Sequence, residues 1–271
     1  MKAILNMTTL FNAGLAVYFC AMVCAVIGLM SRRSLFDRLA NGLIVAGVCI
    51  QTLYLGVRWE EAGRAPFSNM FESLVLFGWT VSVVYLLLRI RTKLPWLAAA
   101  SAALSALALA HASTFEADIR PLMPALQSNW LSFHVMTCFL GYGAFAISAL
   151  AAIGFLVVSR EGSAAADDTR KTLETIVSQT ISFGFLFLTL GILTGAVWAN
   201  SAWGTYWSWD PKETWSLITW FIYAAFLHFN FMRGWRGRRA AWISIIGFAS
   251  VLFTYYGVNF LLSGLHSYAK Q

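Results

Sequence analysis

The chain alternates long apolar blocks with short polar stretches. A bilayer core of about 30 Å is crossed by about 20 apolar residues in a helix. Eight blocks meet that length, at roughly 8–30, 39–57, 70–89, 95–113, 133–158, 179–199, 214–232 and 240–262. The pattern predicts an all-α, polytopic transmembrane helix bundle of about eight spans, with residues 1–271 forming a single membrane domain. The second block carries Asn41 and Gln51, and the fourth is Ala-rich and ends near His111. Only Lys2 precedes the first block and no small-residue cleavage site follows it, so this run reads as a retained span rather than a signal peptide. Within the sequence there is no repeat of fixed period.

Charge then sets the sidedness. Charged residues make up 11% of the chain, against about 25% in soluble domains. Four alternate loops are short and basic: Arg32, Arg33 and Arg38; Arg89, Arg91 and Lys93; Arg160, Arg170 and Lys171; Arg233, Arg236, Arg238 and Arg239. They hold 13 of the 19 basic residues against 5 of the 12 acids. An excess of Lys and Arg marks the cytoplasmic side, which puts both termini on the outer side. The net charge of +7 is thereby spent on topology, and no nucleic-acid partner is expected. Cys20, Cys24, Cys49 and Cys138 all fall inside apolar blocks without a C-x-x-C pair, which assigns them to packing. The basic loop 159–178 reads as polar, solvated and helix-capable, with no recognisable chemistry.

The unusual sequence is on the outer side: loops 58–69 and 114–132, the segment 200–213 and the tail 263–271. Six of the twelve tryptophans, Trp198, Trp203, Trp207, Trp209, Trp215 and Trp220, fall within 23 residues. Near span ends, Trp198, Trp215 and Trp220 suit either an interfacial aromatic belt or a site. Trp203, Trp207 and Trp209 share their stretch with Gly204, Asp210 and Pro211, poor residues for a helix interior. That composition predicts an outer Trp-rich loop presenting a flat, partly wet row of indoles. Such a surface suits a large planar ligand with polar edges. Asp210-Pro211-Lys212-Glu213 reads as a helix start, with Asp210 as N-cap and Glu213 completing a capping box. That structural role does not exclude contact with a ligand.

Trp203-Gly204-Thr205-Tyr206-Trp207-Ser208-Trp209-Asp210 resembles the W-G-x-x-W-x-W-D signature of haem-handling membrane proteins. Within that superfamily the chain resembles the CcsA/ResC type of the system II cytochrome c biogenesis machinery. The resemblance includes residues 66–73 (PFSNMFES), 121–130 (PLMPALQSNW) leading to His134, and 259–268 (NFLLSGLHSY). Length and span number fit this type better than the shorter six-span CcmC type or the much longer CcmF type. It implies that haem b is bound in the membrane and presented at the outer face, where it is joined by thioether bonds to the C-x-x-C-H motif of apocytochrome c. It further implies a CcsB/ResB-type partner subunit, and a home in a bacterial inner membrane with the loop facing the periplasm, or in a thylakoid membrane.

Only four histidines occur. His134 opens the fifth span and His266 follows the eighth, so topology puts both on the side of the Trp loop. Imidazole is a common axial ligand of haem iron, and the resemblance implies that these two flank the loop as external axial ligands. His228 lies about 14 residues into the seventh span and five before Arg233, hence about 20 Å below the outer surface at 1.5 Å per residue, and an ionisable group at that depth is a functional candidate by default. The resemblance makes it a ligand in a second, intramembrane haem site, completed by a partner subunit or otherwise. His111 reads as a structural residue. Trp203, Gly204, Trp207, Trp209 and Asp210 complete the expected haem-binding set. Arg58, Arg64, Arg120 and Lys212 are equal candidates for pairing with propionates, each also readable as a solvated loop charge, and Glu72 for capping or pocket lining. Two other functions compete: a CcmC-like loader that passes haem on without forming a thioether bond, and a small-solute transporter, which the lack of paired broken spans disfavours.

Overall fold

A computed structural model describes residues 6–160 and 164–262; His266 and the rest of the tail lie outside them. Among the described residues the secondary structure is helical throughout, with eight helices long and apolar enough to cross a membrane. The protein is therefore an all-α integral membrane protein. It divides into two compact units, Met1–Pro121 and Leu122–Gln271.

The first unit holds α1 (Met7–Ser31), α2 (Ser34–Ala62), α3 (Met70–Arg89) and α4 (Pro95–Ala112). Its helix starts are written in the sequence: the Asn6 side chain accepts the Thr8 N–H at 3.0 Å, the Asn69 side chain accepts the Glu72 N–H at 2.8 Å, and Pro95 opens α4. The polar residues inside the spans find partners, as buried polar groups require. Tyr18 Oη donates to Gln51 Oε1 at 2.6 Å, and Gln51 Nε2 donates to the Val75 carbonyl at 3.1 Å. Asn41 Oδ1 accepts from Tyr85 Oη at 2.7 Å and Arg89 Nε at 2.8 Å, while Arg89 Nη2 pairs with Asp37 at 2.9 Å. The two residues that weakened the second block as a span are thus the ones that join α2 to α1 and α3.

The second unit holds a short 3-10 turn (Pro124–Leu126), α5 (Asn129–Val158), α6 (Ala164–Trp203), α7 (Pro211–Arg233), α8 (Arg238–Leu252), a π-helical turn (Phe253–Gly257) and α9 (Val258–Leu261). The π turn interrupts what the hydropathy pattern draws as one span. Close packing of α5 on α6 depends on small residues. Gly141 faces the Gly184 backbone, and Gly184 and Gly191 lie against Phe145 and Cys138. Phe145 and Tyr223 stack with centroids 3.6 Å apart, tying α5 to α7. Hydroxyl pairs join the rest: Ser148 with Ser244 at 2.8 Å and Thr219 with Ser250 at 2.7 Å.

The structure revises three sequence boundaries. The polar stretch 159–178 is not a loop through its length: α6 begins at Ala164, and Leu173, Ile176 and Val177 are buried, so packing carries the helix through it. At its other end α6 runs to Trp203, which is a helix residue rather than a loop residue. Helix α2 extends to Ala62, so Arg58 belongs to a helix.

Candidate functional site

One end of the second unit gathers most of the residues singled out by sequence. His134 lies in the second turn of α5, half-buried, and its Nδ1 is 2.7 Å from the Gly191 carbonyl on α6. A carbonyl oxygen only accepts, so Nδ1 carries the proton and the ring lone pair sits on Nε2. Metal-ligating histidines use this arrangement, with a backbone carbonyl fixing tautomer and ring orientation. The ring also stacks on Trp198, centroids 6.0 Å apart and planes 15° apart. Trp198 is buried and meets Trp203 edge-on at 4.8 Å. His134, Trp198 and Trp203 thus form a continuous aromatic path from α5 to the start of the loop.

The loop runs from Gly204 to Asp210. Gly204, at φ 78°, ends α6 by donating its N–H to the Asn200 carbonyl at 2.9 Å, a left-handed helix end that glycine adopts without strain. Trp207 and Trp209 meet edge-on, 5.7 Å apart with planes at 88°. The two rings are therefore perpendicular, where the sequence suggests a flat row. Trp209 is 68% exposed; Trp207 is half-buried and its indole N–H has no acceptor among the described residues. An exposed indole face beside a buried, unsatisfied donor fits a planar ligand with polar edges, such as a porphyrin.

Asp210 is buried and caps α7 as expected, its Oδ1 accepting the Lys212 N–H at 2.9 Å, with the capping box complete. Lys212 Nζ crosses to α9 and donates to Asn259 Oδ1 at 2.8 Å, and Asn259 Nδ2 donates back to the Tyr255 carbonyl at 2.6 Å. Phe139 on α5 meets Tyr255 edge-on at 5.7 Å. These contacts place the start of α5, the start of α7 and the end of the last helix at the same end of the unit. His266, seven residues after Asn259, lies outside the described residues.

The remaining residues are His228, further along α7, and those of the first unit. His228 is exposed, on the outward stripe of α7 that carries Ile218, Phe221 and Met232. It is 17 residues beyond Pro211, about 25 Å along the helix from the Trp loop. His111 is exposed at the end of α4 and meets Phe115 edge-on at 5.1 Å. Three of the four basic candidates for propionates already face carboxylates in the first unit. Arg58, 1% exposed, donates from Nε to Glu72 Oε1 at 3.0 Å; its Nη2, 2.9 Å from the same oxygen, is off-axis for a hydrogen bond. Arg64 reaches the other oxygen of Glu72 at 3.1 Å, and Arg120 pairs with Glu116. Arg58 is therefore not a solvated loop charge. It is half of a buried ion pair in which Glu72, fully buried, also accepts from the Ser68 N–H at 2.9 Å.

Sequence reading missed Gly191, Gly195 and Asn259. The small residues of α6 look like ordinary membrane-helix packing, and nothing in their spacing names His134 as the neighbour. Asn259 inside the last apolar block was the available signal, since a polar side chain there needs a partner.

The fold and site define a class: all-α integral membrane proteins with an indole-rich loop beside a carbonyl-anchored histidine. A model of the family described as "Cytochrome C assembly protein" matches residues 67–266. The chain is 39% identical to the cytochrome c biogenesis protein CcsA of Synechococcus elongatus, over 84% of this chain and 86% of that one. It is 42% identical to CcsA of Chlamydomonas reinhardtii, over 80% and 64%, and 37% identical to CcsA of Synechococcus sp. strain CC9605, over 96% of each. A solved structure titled cytochrome c heme lyase CcmF shares the fold, with a TM-score of 0.71 and 19% identity. The match covers 96% of this chain and 47% of that one, so the chain spans about half its length. The chain belongs to the cytochrome c assembly protein family. Within that family it is of the CcsA type, and its role is in cytochrome c maturation.

Proposed function

We propose that the chain binds haem b and presents it at the outer face of the membrane for thioether attachment to apocytochrome c. The carrying observation is His134, its tautomer set by the Gly191 carbonyl, placed beside the Trp loop. In this reading His134 and His266 are the axial ligands of the outer haem, and Trp203, Gly204, Trp207, Trp209 and Asp210 line its site. The loop side of the second unit and both termini face outward, as the basic loops require.

His228, exposed on α7, ligates haem at a second site within the membrane, with the other ligand supplied by a CcsB/ResB-type subunit. The two units serve a single haem-handling function in a bacterial inner membrane or a thylakoid membrane. The chain's own contribution is to hold, orient and shield the substrate. His134 fixes the iron, the indoles fix the porphyrin plane, and the C-x-x-C-H segment approaches the open edge. Each cysteine thiol then adds across a vinyl group, sulfur to one carbon and a proton to the other. Lys212, two residues after the loop, is the propionate partner that the second unit supplies.

The test is an absorption spectrum of the purified protein with its partner, wild type against His134→Ala, His266→Ala and His228→Ala, followed by incubation with a C-x-x-C-H peptide. Loss of one haem population with the first two variants and of another with the third is the expected result. Identical spectra in all four preparations refute the ligand assignments. Transfer of haem to the peptide without a covalent bond would make the chain a loader instead.

A further inference from the structure

We infer that Glu213 is a positioning residue for Trp209, acting through the loop backbone; the inference rests on the reading of that loop as a surface for haem. Trp209 has φ 60°, a left-handed conformation that a bulky residue keeps only where its surroundings hold it. Packing of its side chain does not hold it: the indole is 68% exposed and meets Trp207 edge-on.

The backbone on either side is pinned instead. Glu213 Oε2 accepts the Ser208 N–H at 2.8 Å, the Ser208 hydroxyl at 3.3 Å and the Asp210 N–H at 3.2 Å. One buried carboxylate oxygen draws the two amides that bracket Trp209 toward a single point, the way a backbone nest closes on an anion. Thr214 Oγ1 adds a bond to the Trp209 carbonyl at 3.3 Å. With both flanks fixed, the direction of the Cα–Cβ bond between them is fixed too, and the indole stands across Trp207. Capping of α7 requires only the bond from Asp210. The two bonds from Ser208 lie outside the helix and serve the loop alone.

The experiment is a double-mutant cycle in the full chain: Glu213→Ala, Glu213→Gln, Trp209→Ala and the Glu213→Ala/Trp209→Ala pair. Outer-site haem is measured as the absorbance that His134→Ala removes, and backbone hydrogen exchange is followed over residues 204–210. Glu213→Ala is expected to lose as much haem as Trp209→Ala, Glu213→Gln to keep most of it, and the double variant to lose no more than Trp209→Ala. The Ser208 and Asp210 amides are expected to exchange faster in Glu213→Ala. Additive losses, or unchanged exchange, overturn the inference. If Trp209→Ala retains wild-type haem while exchange still accelerates in Glu213→Ala, the haem reading of the loop falls and the backbone clamp stands. Should Glu213→Ala fail to accumulate, Glu213→Asp, whose shorter side chain withdraws the oxygen from the Ser208 amide, takes its place in the cycle with the same expected and overturning results.

Discussion

His134 and Gly195 meet so closely that residue 195 has no room for a side chain. A Cβ there would lie 2.5 Å from His134 Nδ1 and 2.8 Å from Cε1, both ring atoms. The imidazole is wedged between α5 and α6, and its lone pair points where the two backbones allow.

Gly195→Ala is therefore expected to push the ring off the Gly191 carbonyl. Overpacking of this kind destabilises by about 1–3 kcal/mol, and the outer haem signal should fall further than that loss explains. Thermal unfolding and the absorption spectrum, measured together, check both parts. A normal spectrum from Gly195→Ala would show that the seat does not set the ligand.

Glu72→Ala is expected to be among the most damaging substitutions in the first unit. It leaves Arg58 buried without a counter-charge, and breaking a buried pair from one side costs about 3–5 kcal/mol. Replacing both partners with apolar residues, Arg58→Met with Glu72→Leu, should recover much of it. Yield and melting temperature of the single and double variants test this; a double variant no better than Glu72→Ala would refute it.

His228→Ala should leave the fold intact, because the side chain is exposed and such positions change stability by only about ±0.5 kcal/mol. What should change is one haem population, with the outer-site spectrum and the melting curve preserved.

Asn259→Leu removes the acceptor of Lys212 Nζ. A buried donor left unsatisfied costs about 1–3 kcal/mol, so the variant should melt earlier. Asn259→Asp, which keeps an acceptor and adds charge, should melt later than Asn259→Leu. Equal melting of the two would mean that the bridge is incidental.

Much of this was legible beforehand for a physical reason. Span length is imposed by the bilayer, so hydropathy alone locates the eight helices, and Asp210 with Glu213 announced the start of α7. The misses share a cause in long-range packing. Nothing local in 164–178 says that Leu173, Ile176 and Val177 will be covered. Arg58 looked like a loop charge because its partner is 14 residues away, although Glu72 inside an apolar block already called for a cation. The left-handed backbone of Trp209 was invisible, since nothing in the residue type favours it and Glu213 imposes it from the next helix.

The π-helical turn at Phe253–Gly257 has a consequence for Asn259. A wide turn accommodates one residue more than an α-helical turn, so everything after it is set back by one position, about 100° around the axis. Asn259 owes its orientation toward α7 to that offset. Deleting a single residue within 253–257 would restore the uninterrupted α-helical phase and swing Asn259 away from Lys212.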